Sequence, residues 1–399
     1  MVNPINIFCD SRRLLPVDDS DLKLKALFQG YYRNWSGRDV DLIWEREIGF
    51  IPFFGTMIRH RAVRNLKDLG FFVRKNTPRH IYYSTAYYNS PEEKVMKEKG
   101  WKGAELIFDL DADHLAGAEK MTYTEILAEV KNHTQRLIFK FLMDDLGFQE
   151  KDLKIFFSGG RGYHVHVVED SVYQMSSDSR REVANYIRGE GFSTYDVRRS
   201  MQETSQKLSG WKKTIDDQIC SFYSDLQENE EKQELLHGLL GNIRTMQNYL
   251  TDLNRATDVG GNLKRIEVLS MPGFNKYRIM DKNDEKVLNY MIVKVKNENL
   301  CEIDEPVTTD IHRLIRMPHS LHGKSGLAVV PIKLDQFGKF DPLRDAVADS
   351  FRELELKINL LRNYKIDFDG ESYTLMAGEQ TVPGPIGVFL AAGKFAKLL

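Results

Sequence analysis

Three aspartates alternate with apolar residues in one short segment, ELIFDLDADH, at residues 105–114. Successive side chains of a β-strand point to opposite faces, so a strand here places Asp109, Asp111 and Asp113 on a single face. Neighbouring carboxylates repel one another, which costs free energy unless a cation or water lies among them. The segment therefore predicts either a cation-binding strand or a strand end whose aspartates face water.

The composition limits the kinds of partner that the chain can bind. Its 399 residues are 42% hydrophobic and 29% charged, which is ordinary for a soluble globular protein of two domains or of one domain with an insertion. The net charge of −2 provides no global attraction for nucleic acid, so such contact requires a local patch, bound metal or a partner chain.

The cysteines and the apolar runs indicate where the protein works. Cys9, Cys220 and Cys301 lie far apart and form no C-x-x-C pair, which fits a reducing, intracellular setting. The N-terminus has no secretory pattern and no apolar run is long enough to span a bilayer. We expect a cytoplasmic protein without membrane contact.

The order of elements predicts an α/β (α+β) fold in which a mixed sheet carries an inserted helical subdomain. After the aspartate strand, Thr122 and Glu125 form a capping box that begins a helix, and a second strand region follows at 153–169. The segments YMIVKVKNEN (290–299) and LAVVPIKL (327–334) also have a β-like composition.

Changes in composition along the chain predict three regions. These are a discontinuous core at 1–169 and 289–345, a helical insertion at 170–288, and a mostly helical segment at 346–399 that packs on the core.

A glycine-rich turn interrupts the second strand region, in FSGGRGYHVHV at 157–167. Its glycines allow a tight turn and close backbone approach, while Ser158, Arg161 and His164 are donors suited to a polyphosphate. His164 and His166 share a face. The alternative is a plain hairpin whose histidines belong to the core.

A cationic loop follows at 313–326, in RLIRMPHSLHGKSG. The GKS triplet is not a P-loop, because Pro318 occupies the position of the required glycine and no strand runs into a helix. The loop predicts either phosphate binding or a solvated surface. Its cationic and imidazole side chains are Arg313, Arg316, His319, His322 and Lys324.

Asp304 shortly precedes this loop, in EIDEPVTTD. If it pairs with Asp109 and Asp111, three carboxylates meet beside two phosphate-binding segments. Polymerase-type phosphoryl transfer needs that arrangement, in which two metal ions activate a 3′-hydroxyl and neutralise a triphosphate.

These motifs resemble those of the small, catalytic subunit of archaeal and eukaryotic DNA primase, most closely the archaeal form. The similarity runs in family order from about Tyr31 to Pro331. The matching segments are REIGF, RHRA, HIYYSTAYY, KGWKGAELIFDLDADH, FSGGRGYHVHV and IDEPVTTDIHRLIRMPHSLHGKSGL.

The resemblance implies specific roles for individual residues. The metal-binding catalytic aspartates would be Asp109, Asp111 and Asp304, and the family pattern favours Asp304 over Asp310. Two further residues, Glu47 and Arg59, fall in the front motif near the active site. The triphosphate site would be formed by Ser158, Arg161 and His164 on one side and by Arg316, His322 and Lys324 on the other.

One family feature is absent from this sequence. Many members carry a Cys/His zinc knuckle soon after the aspartate strand, but this chain has no cysteine there. His114 and His133 are too few for structural zinc, which generally takes four ligands. We expect no bound zinc.

The resemblance implies a nucleotidyltransferase that synthesises short primers on single-stranded DNA from nucleoside triphosphates during replication, with Mg²⁺ or Mn²⁺ as cofactor. It further implies a heterodimer with the primase large subunit and association with the nucleoid. Three alternatives share some of these features: a repair-type primase-polymerase that extends existing ends, a metal-dependent phosphohydrolase, and a non-catalytic RRM-like subunit. The RRM-like alternative is disfavoured because such sheets present aromatic side chains to bases, whereas this strand presents aspartates.

Overall fold

The chain forms two compact units in a computed structural model that describes residues 18–115, 117–191, 194–203, 208–257, 262–273 and 276–399. The core unit comprises residues up to 138 together with 148–184 and 302–399, and the helical unit comprises 139–147 and 185–301. Cys9 and the side chain of His114 lie outside the described part of the chain.

Short strands make up the sheets of the core unit. They are β1 (Ile48–Ile51), β2 (Ile58–Arg61), β3 (His80–Ser84), β4 (Ala86–Tyr88), β5 (Trp101–Ala104), β6 (Leu106–Leu110), β7 (Leu153–Phe157), β8 (Tyr163–Val167), β9 (Leu314–Arg316), β10 (Val330–Ile332), β11 (Glu355–Leu360), β12 (Tyr364–Phe368), β13 (Glu371–Leu375), β14 (Gly378–Pro383) and β15 (Ala396–Leu398).

The helices are distributed over both units. They are α1 (Asp19–Tyr32), α2 (Leu66–Asn76), α3 (Tyr123–Arg136), α4 (Asp170–Tyr173), α5 (Ser177–Ile187), α6 (Thr194–Glu203), α7 (Gly210–Ser224), α8 (Glu230–Leu240), α9 (Ile243–Leu253), α10 (Arg265–Ser270), α11 (Lys276–Ile279), α12 (Lys282–Asn299), α13 (Glu305–Thr309), α14 (Leu334–Phe337), α15 (Pro342–Asp345), α16 (Asp349–Arg352) and α17 (Gly384–Ala392).

Two four-stranded sheets form the centre of the core unit, with strand orders β2-β1-β3-β9 and β10-β7-β8-β6. The α+β class is confirmed, but the expected mixed sheet is wrong, since every strand pair among the described residues is antiparallel. The reason is the glycine turn: β8 folds back between β6 and β7, so the two ends of this strand-helix-strand unit never become neighbours.

The helix of that unit begins as the sequence predicts. Thr122 accepts from the backbone N–H of Glu125, and the Glu125 carboxylate accepts from the Thr122 backbone, which completes the capping box of α3. Ile126, Leu127 and Val130 are buried on one face. The helix continues without a break as a π-helix over Leu137–Asp145.

Two predictions about secondary structure are wrong. The segment 346–399 carries β11 to β15 in addition to α16 and α17, so it is not mostly helical. Its longest helix, α17, is buried on every side and lacks the polar face of a surface helix. YMIVKVKNEN belongs to α12, because Val287, Met291 and Val295 recur at helical spacing and are buried.

The helical unit differs in its bounds from the predicted insertion at 170–288, because it starts at 185 and ends at 301 and also takes in 139–147. No helix in the described residues is both long and apolar enough to cross a membrane.

Candidate active site

Asp109 and Asp304 lie side by side although they are far apart in the sequence. The register of β6 and β8 pairs Asp109 with His164, whose Nε2 is 3.7 Å from Asp109 Oδ1. The backbone N–H of Asp304 donates to the carbonyl oxygen of Asp109 at 2.9 Å, and Asp304 is the N-cap of α13. The structure therefore brings these two predicted site residues together.

The electrostatics of Asp109 reflect desolvation and crowding by like charges. Burial raises its pKa to about 7, and Asp111 and Asp304 contribute to the rise, while Arg316 and Arg313 oppose it. A carboxyl with such a pKa is only partly ionised at neutral pH. A cation beside it would favour the ionised form.

Asp111 and Asp113 do not continue the strand. The strand β6 ends at Leu110, the backbone of Asp111 is still extended, and Asp113 falls in a 3₁₀ turn at Ala112–His114, so the expected single face of three aspartates is wrong at Asp113. Asp113 is mostly exposed and pairs with Arg161 Nη2 at 2.5 Å. The Oδ1 atom of Asp111 is buried and has no hydrogen-bond partner in the described part of the chain, with Arg161 Nη2 3.8 Å away.

The glycine turn needs its glycines because it packs closely against two other segments. A Cβ at Gly162 would lie 2.0 Å from the carbonyl oxygen of Leu110, and one at Gly159 would lie 2.8 Å from Cβ of His322. Gly159 also has a φ of +75°. The Ser325 hydroxyl donates to the carbonyl of Gly159. The turn and the cationic loop thus form one continuous surface.

Three predicted triphosphate-site residues on this surface are buried and uncharged. Ser158 Oγ accepts from the backbone N–H of Gly160 at 3.3 Å. Burial and the nearby Arg316 hold the pKa values of His164 and His322 well below the usual range, so both rings are neutral at pH 7.

Cationic side chains surround these neutral groups. Arg161 is 9% exposed. Arg316 pairs with Tyr82 across β9 and β3, its guanidinium lies 5.8 Å from the centre of the Tyr82 ring, and its buried Nε has no hydrogen-bond partner among the described residues. Desolvation and Arg316 lower the pKa of Lys324. This set of donors suits an anion with several phosphates.

Glu47 and Arg59 form a separate ion-pair network. Arg59 holds Glu47 through both carboxylate oxygens, at 2.9 and 3.3 Å, and Lys99 lies 3.3 Å from Oε2. Burial alone would raise the pKa of Glu47, but Arg59 and the backbone N–H of His60 lower it. Glu47 is fully buried, so its carboxylate is satisfied by protein donors rather than placed among the aspartates.

Two residues near the site were not among the predicted metal-binding or triphosphate residues, although Arg313 was named in the cationic loop. His80 packs edge-on against His322, with ring centres 5.0 Å apart, and the backbone N–H of Gly323 points to His80 Nδ1 at 3.4 Å. Arg313 acts on the pKa values of both Asp109 and His164. For His80, the available signal was its alternation with Tyr82 in HIYYS, which places both on one strand face.

The aspartates have the donor chemistry of a magnesium site without forming a closed cage. No group of three or more His, Cys, Asp or Glu residues stands ready to hold a metal ion in the part of the chain that the structure describes. Mg²⁺ typically takes one or two carboxylates plus waters and substrate phosphates, and the orphaned Oδ1 of Asp111 is a suitable oxygen. His133 is a poor zinc ligand, since its Nδ1 accepts from the Glu302 N–H at 3.0 Å.

The sequence has clear relatives. The model of the family described as "DNA primase small subunit" matches residues 108–334, so the match contains Asp109 and Asp111, the glycine turn and the cationic loop. The chain belongs to the DNA primase small subunit family, which implies polymerase activity of the nucleotidyltransferase type.

Several relatives carry the name DNA primase small subunit PriS. The protein from Picrophilus torridus is 45% identical over 93% of this chain and 96% of its own length. Those from Thermoplasma volcanium and Thermoplasma acidophilum are 40% and 34% identical, over 95% and 92% of this chain and 98% and 97% of their own lengths. The predicted family is confirmed.

Proposed function

We propose that this chain is the catalytic subunit of a primase and adds nucleotides to a primer on single-stranded DNA by metal-dependent phosphoryl transfer. The observation that carries the proposal is the juxtaposition of Asp109 and Asp304 at the N-cap of α13, next to a surface of phosphate-type donors. Family membership supports the same reaction.

Each group of residues has a distinct task in this proposal. Asp109, Asp111 and Asp304 would hold Mg²⁺ or Mn²⁺, which supplies charge neutralisation and activation of a hydroxyl when bound. Arg161, Arg316 and Lys324 bind the triphosphate as fixed positive charges.

The neutral residues orient the triphosphate rather than attract it. Ser158, His164 and His322 offer hydrogen bonds without adding charge, and their burial keeps water away from the phosphates. The ring of His322 is fixed by Ser325, whose Oγ lies 3.2 Å from Nδ1, and by the edge contact with His80.

A non-catalytic, RRM-like role is less consistent with the sheet. All five residues of β8 are buried, so this central strand offers no exposed aromatic side chains on which bases could stack. A phosphohydrolase or a repair-type polymerase would use the same carboxylates, and only the product separates these reactions from priming.

The test is extension of a primed single-stranded template with labelled nucleotides and Mg²⁺ or Mn²⁺. We expect Asp109→Asn and Asp111→Asn to lose activity on the order of a thousandfold, because each removes a metal-binding charge at constant size. Asp349→Asn is the matched control, since its side chain is fully exposed. Near-normal synthesis by either site variant would refute the assignment, and release of phosphate without a growing product would indicate a hydrolase.

The triphosphate contacts have their own signature. Arg161→Ala and His164→Ala should raise KM for the nucleotide, about tenfold or more for the arginine, with little change in template affinity. Equal losses of nucleotide and template affinity would place the template on the glycine turn instead.

We further propose that the chain works as a heterodimer with the primase large subunit and that starting a strand depends on it. Initiation orders two free triphosphates and a template at once, which costs more entropy than extension. Dinucleotide formation and primer extension should be compared with and without the large subunit. Equally efficient initiation by the isolated chain would contradict this division of labour.

A further inference from the structure

A groove of about 700 Å³ lies in the core unit beside the edge strand β2. Its polar and aromatic lining consists of two arginines and one carboxylate together with Trp44, His60 and Asn89; the charged residues are Arg61, Arg64 and Glu92. None of these side chains has a role in the proposed nucleotide site. The groove therefore needs its own explanation.

We propose that this groove binds single-stranded nucleic acid, with one base stacked on Trp44 and backbone phosphates held by Arg61 and Arg64. The inference rests on the proposed function, because it identifies where the template strand lies on this chain. Grooves that bind single strands combine exposed aromatic rings with positive charge along the backbone path.

The charge of the groove comes from a local run of sequence in a chain of nearly balanced charge. Residues 57–67, MIRHRAVRNLK, contain three Lys or Arg residues besides Arg59, together with His60, and no acidic residue. Arg59 is held by Glu47, and Arg64 pairs with Asp68 at the surface while remaining 90% exposed. Arg61 is also exposed, so a phosphate can reach both Arg61 and Arg64.

The aromatic wall is unusually open for tryptophan. Trp44 is 52% exposed, whereas Trp35 and Trp211 are 5% and 3% exposed. It lies in a 3₁₀ turn whose neighbour Glu45 is tied to Lys102 at 2.6 Å. The turn is therefore anchored while the indole remains available for stacking.

The backbone at His60 is held in an unfavourable conformation next to the groove. Its φ is +59°, in the left-handed region, and Glu47 Oε1 accepts its backbone N–H at 3.1 Å. The Nδ1 atom of His60 is buried without a hydrogen-bond partner among the described residues. Strain of this kind persists where surrounding contacts impose it, and it is concentrated at binding sites.

The position of the groove suits a template strand more than a free nucleotide. In the sheet, β1 and β3 lie between β2 and β9, the strand that carries Arg316. The distance across the sheet from β2 to β9 is therefore roughly 14 Å, which is on the order of the length of four stacked nucleotides. Its cations are spaced along the chain, without the glycine-rich backbone that surrounds a triphosphate at residues 158–162. A neighbouring stretch of the same strand fits this spacing.

The experiment measures the affinity of the purified full chain for a labelled oligothymidylate without nucleotides. We expect Trp44→Ala to weaken binding about tenfold and Trp44→Phe to retain most of the affinity, since a smaller ring still stacks. Phe71→Ala is the matched control, because Phe71 is 63% exposed and does not line the groove. Unchanged affinity in Trp44→Ala, with circular dichroism like the parent's, would overturn the proposal.

Salt dependence tests the phosphate contacts separately. Arg61→Ala should lower the slope of log K against log salt by about 0.7, as expected for one lost contact to a single strand. The charge-matched control is Lys365→Ala, on β12, which should leave the slope unchanged. An Arg61→Ala slope equal to the parent's, or displacement of the oligonucleotide from the groove by nucleoside triphosphate alone, would contradict the proposal.

This outcome is independent of catalysis. Asp109→Asn should still bind the oligonucleotide with the parent's affinity if the groove is the template site, whether or not that variant has lost activity. If Asp109→Asn remains active but Trp44→Ala still loses binding, the proposed catalytic assignment fails and the groove stands. If Asp109→Asn is inactive but Trp44→Ala binds the oligonucleotide like the parent, only the proposal about the groove fails.

Discussion

Two carboxylates, Glu105 immediately before β6 and Asp109 within it, behave in opposite ways. Glu105, immediately before β6, meets Arg46, the hydroxyl of Tyr87 at 2.9 Å and Nδ1 of His166 at 2.7 Å. These partners hold the pKa of Glu105 far below its usual range, although burial alone would raise it. A short distance along, burial and the neighbouring carboxylates of Asp111 and Asp304 raise the pKa of Asp109 to about 7.

The difference separates structural from functional charge. A buried ion whose hydrogen bonds are complete contributes to a specific fold, and removing one partner leaves the other uncompensated. A carboxylate crowded by like charges stores unfavourable energy that a bound cation would relieve. Chemistry is therefore expected at Asp109, and Glu105 holds the strands that carry it.

The largest effect that would test this difference is expected from a change of the third aspartate, Asp304. Asp304→Asn should lower nucleotide addition on the order of a thousandfold, measured as kcat for primer extension, with the fold intact. Asp310→Asn is the matched control. Its Oδ1 accepts the backbone N–H of His312 at 2.9 Å, so it serves the loop. Loss of activity in Asp310→Asn but not in Asp304→Asn would reverse the assignment of the two.

The second prediction concerns stability on the Glu105 side. Glu105→Gln should lower the free energy of unfolding by about 3–5 kcal/mol, because it leaves the buried guanidinium of Arg46 without a counter-charge. Glu45→Gln, which removes a surface pair with Lys102, should cost about 1 kcal/mol or less. Chemical denaturation of both variants checks this, and equal losses would mean that burial of the pair is unimportant.

Asp109→Asn should have the opposite effect on stability, and only at the higher pH values. Below about pH 4 the carboxyl is protonated in both the folded and unfolded states. Between pH 4 and 7 the unfolded chain loses this proton first, so the parent loses stability as the pH rises, by at most about 4 kcal/mol. The variant lacks this loss. Denaturation curves without divalent metal should therefore show the variant gaining on the parent from pH 4 to 7; a constant difference would contradict the raised pKa.

The smallest expected effect is that of zinc removal. Mild chelation of the purified chain should change neither its melting temperature nor its metal content, because no cysteine-based knuckle follows the aspartate strand. Elemental analysis is the measurement. Zinc retained at one ion per chain would show that ligands were missed, with His114 and His133 the first to examine.

The parts of the fold and site that could be predicted depend on local patterns. Alternation predicts β6 and β8, the capping box predicts α3, and the glycines predict the turn between β7 and β8. Alternation also misleads at Asp113, since a pattern in the sequence cannot show that the strand stops at Leu110.

Contacts between distant segments could not be predicted. Nothing near Glu105 in the sequence reveals that Arg46 and His166 will surround it, because burial and pairing of charges depend on the assembled sheets. The groove at Trp44 was missed for the same reason. Its charge is visible in residues 57–67, but its lining also includes Asn89, which follows β4 in a different part of the sequence.

The hydrogen bond from Asp304 to Asp109 also determines when the site can form while the protein is being translated. A chain leaving the ribosome can form β6, α3, β7 and β8 early, but its carboxylate set is incomplete until Asp304 has emerged and returned to β6. Closing so long a loop costs entropy and slows folding. Under the proposed assignment, chains that end before Asp304 contain the aspartate strand and the glycine turn but should be inert in nucleotide addition.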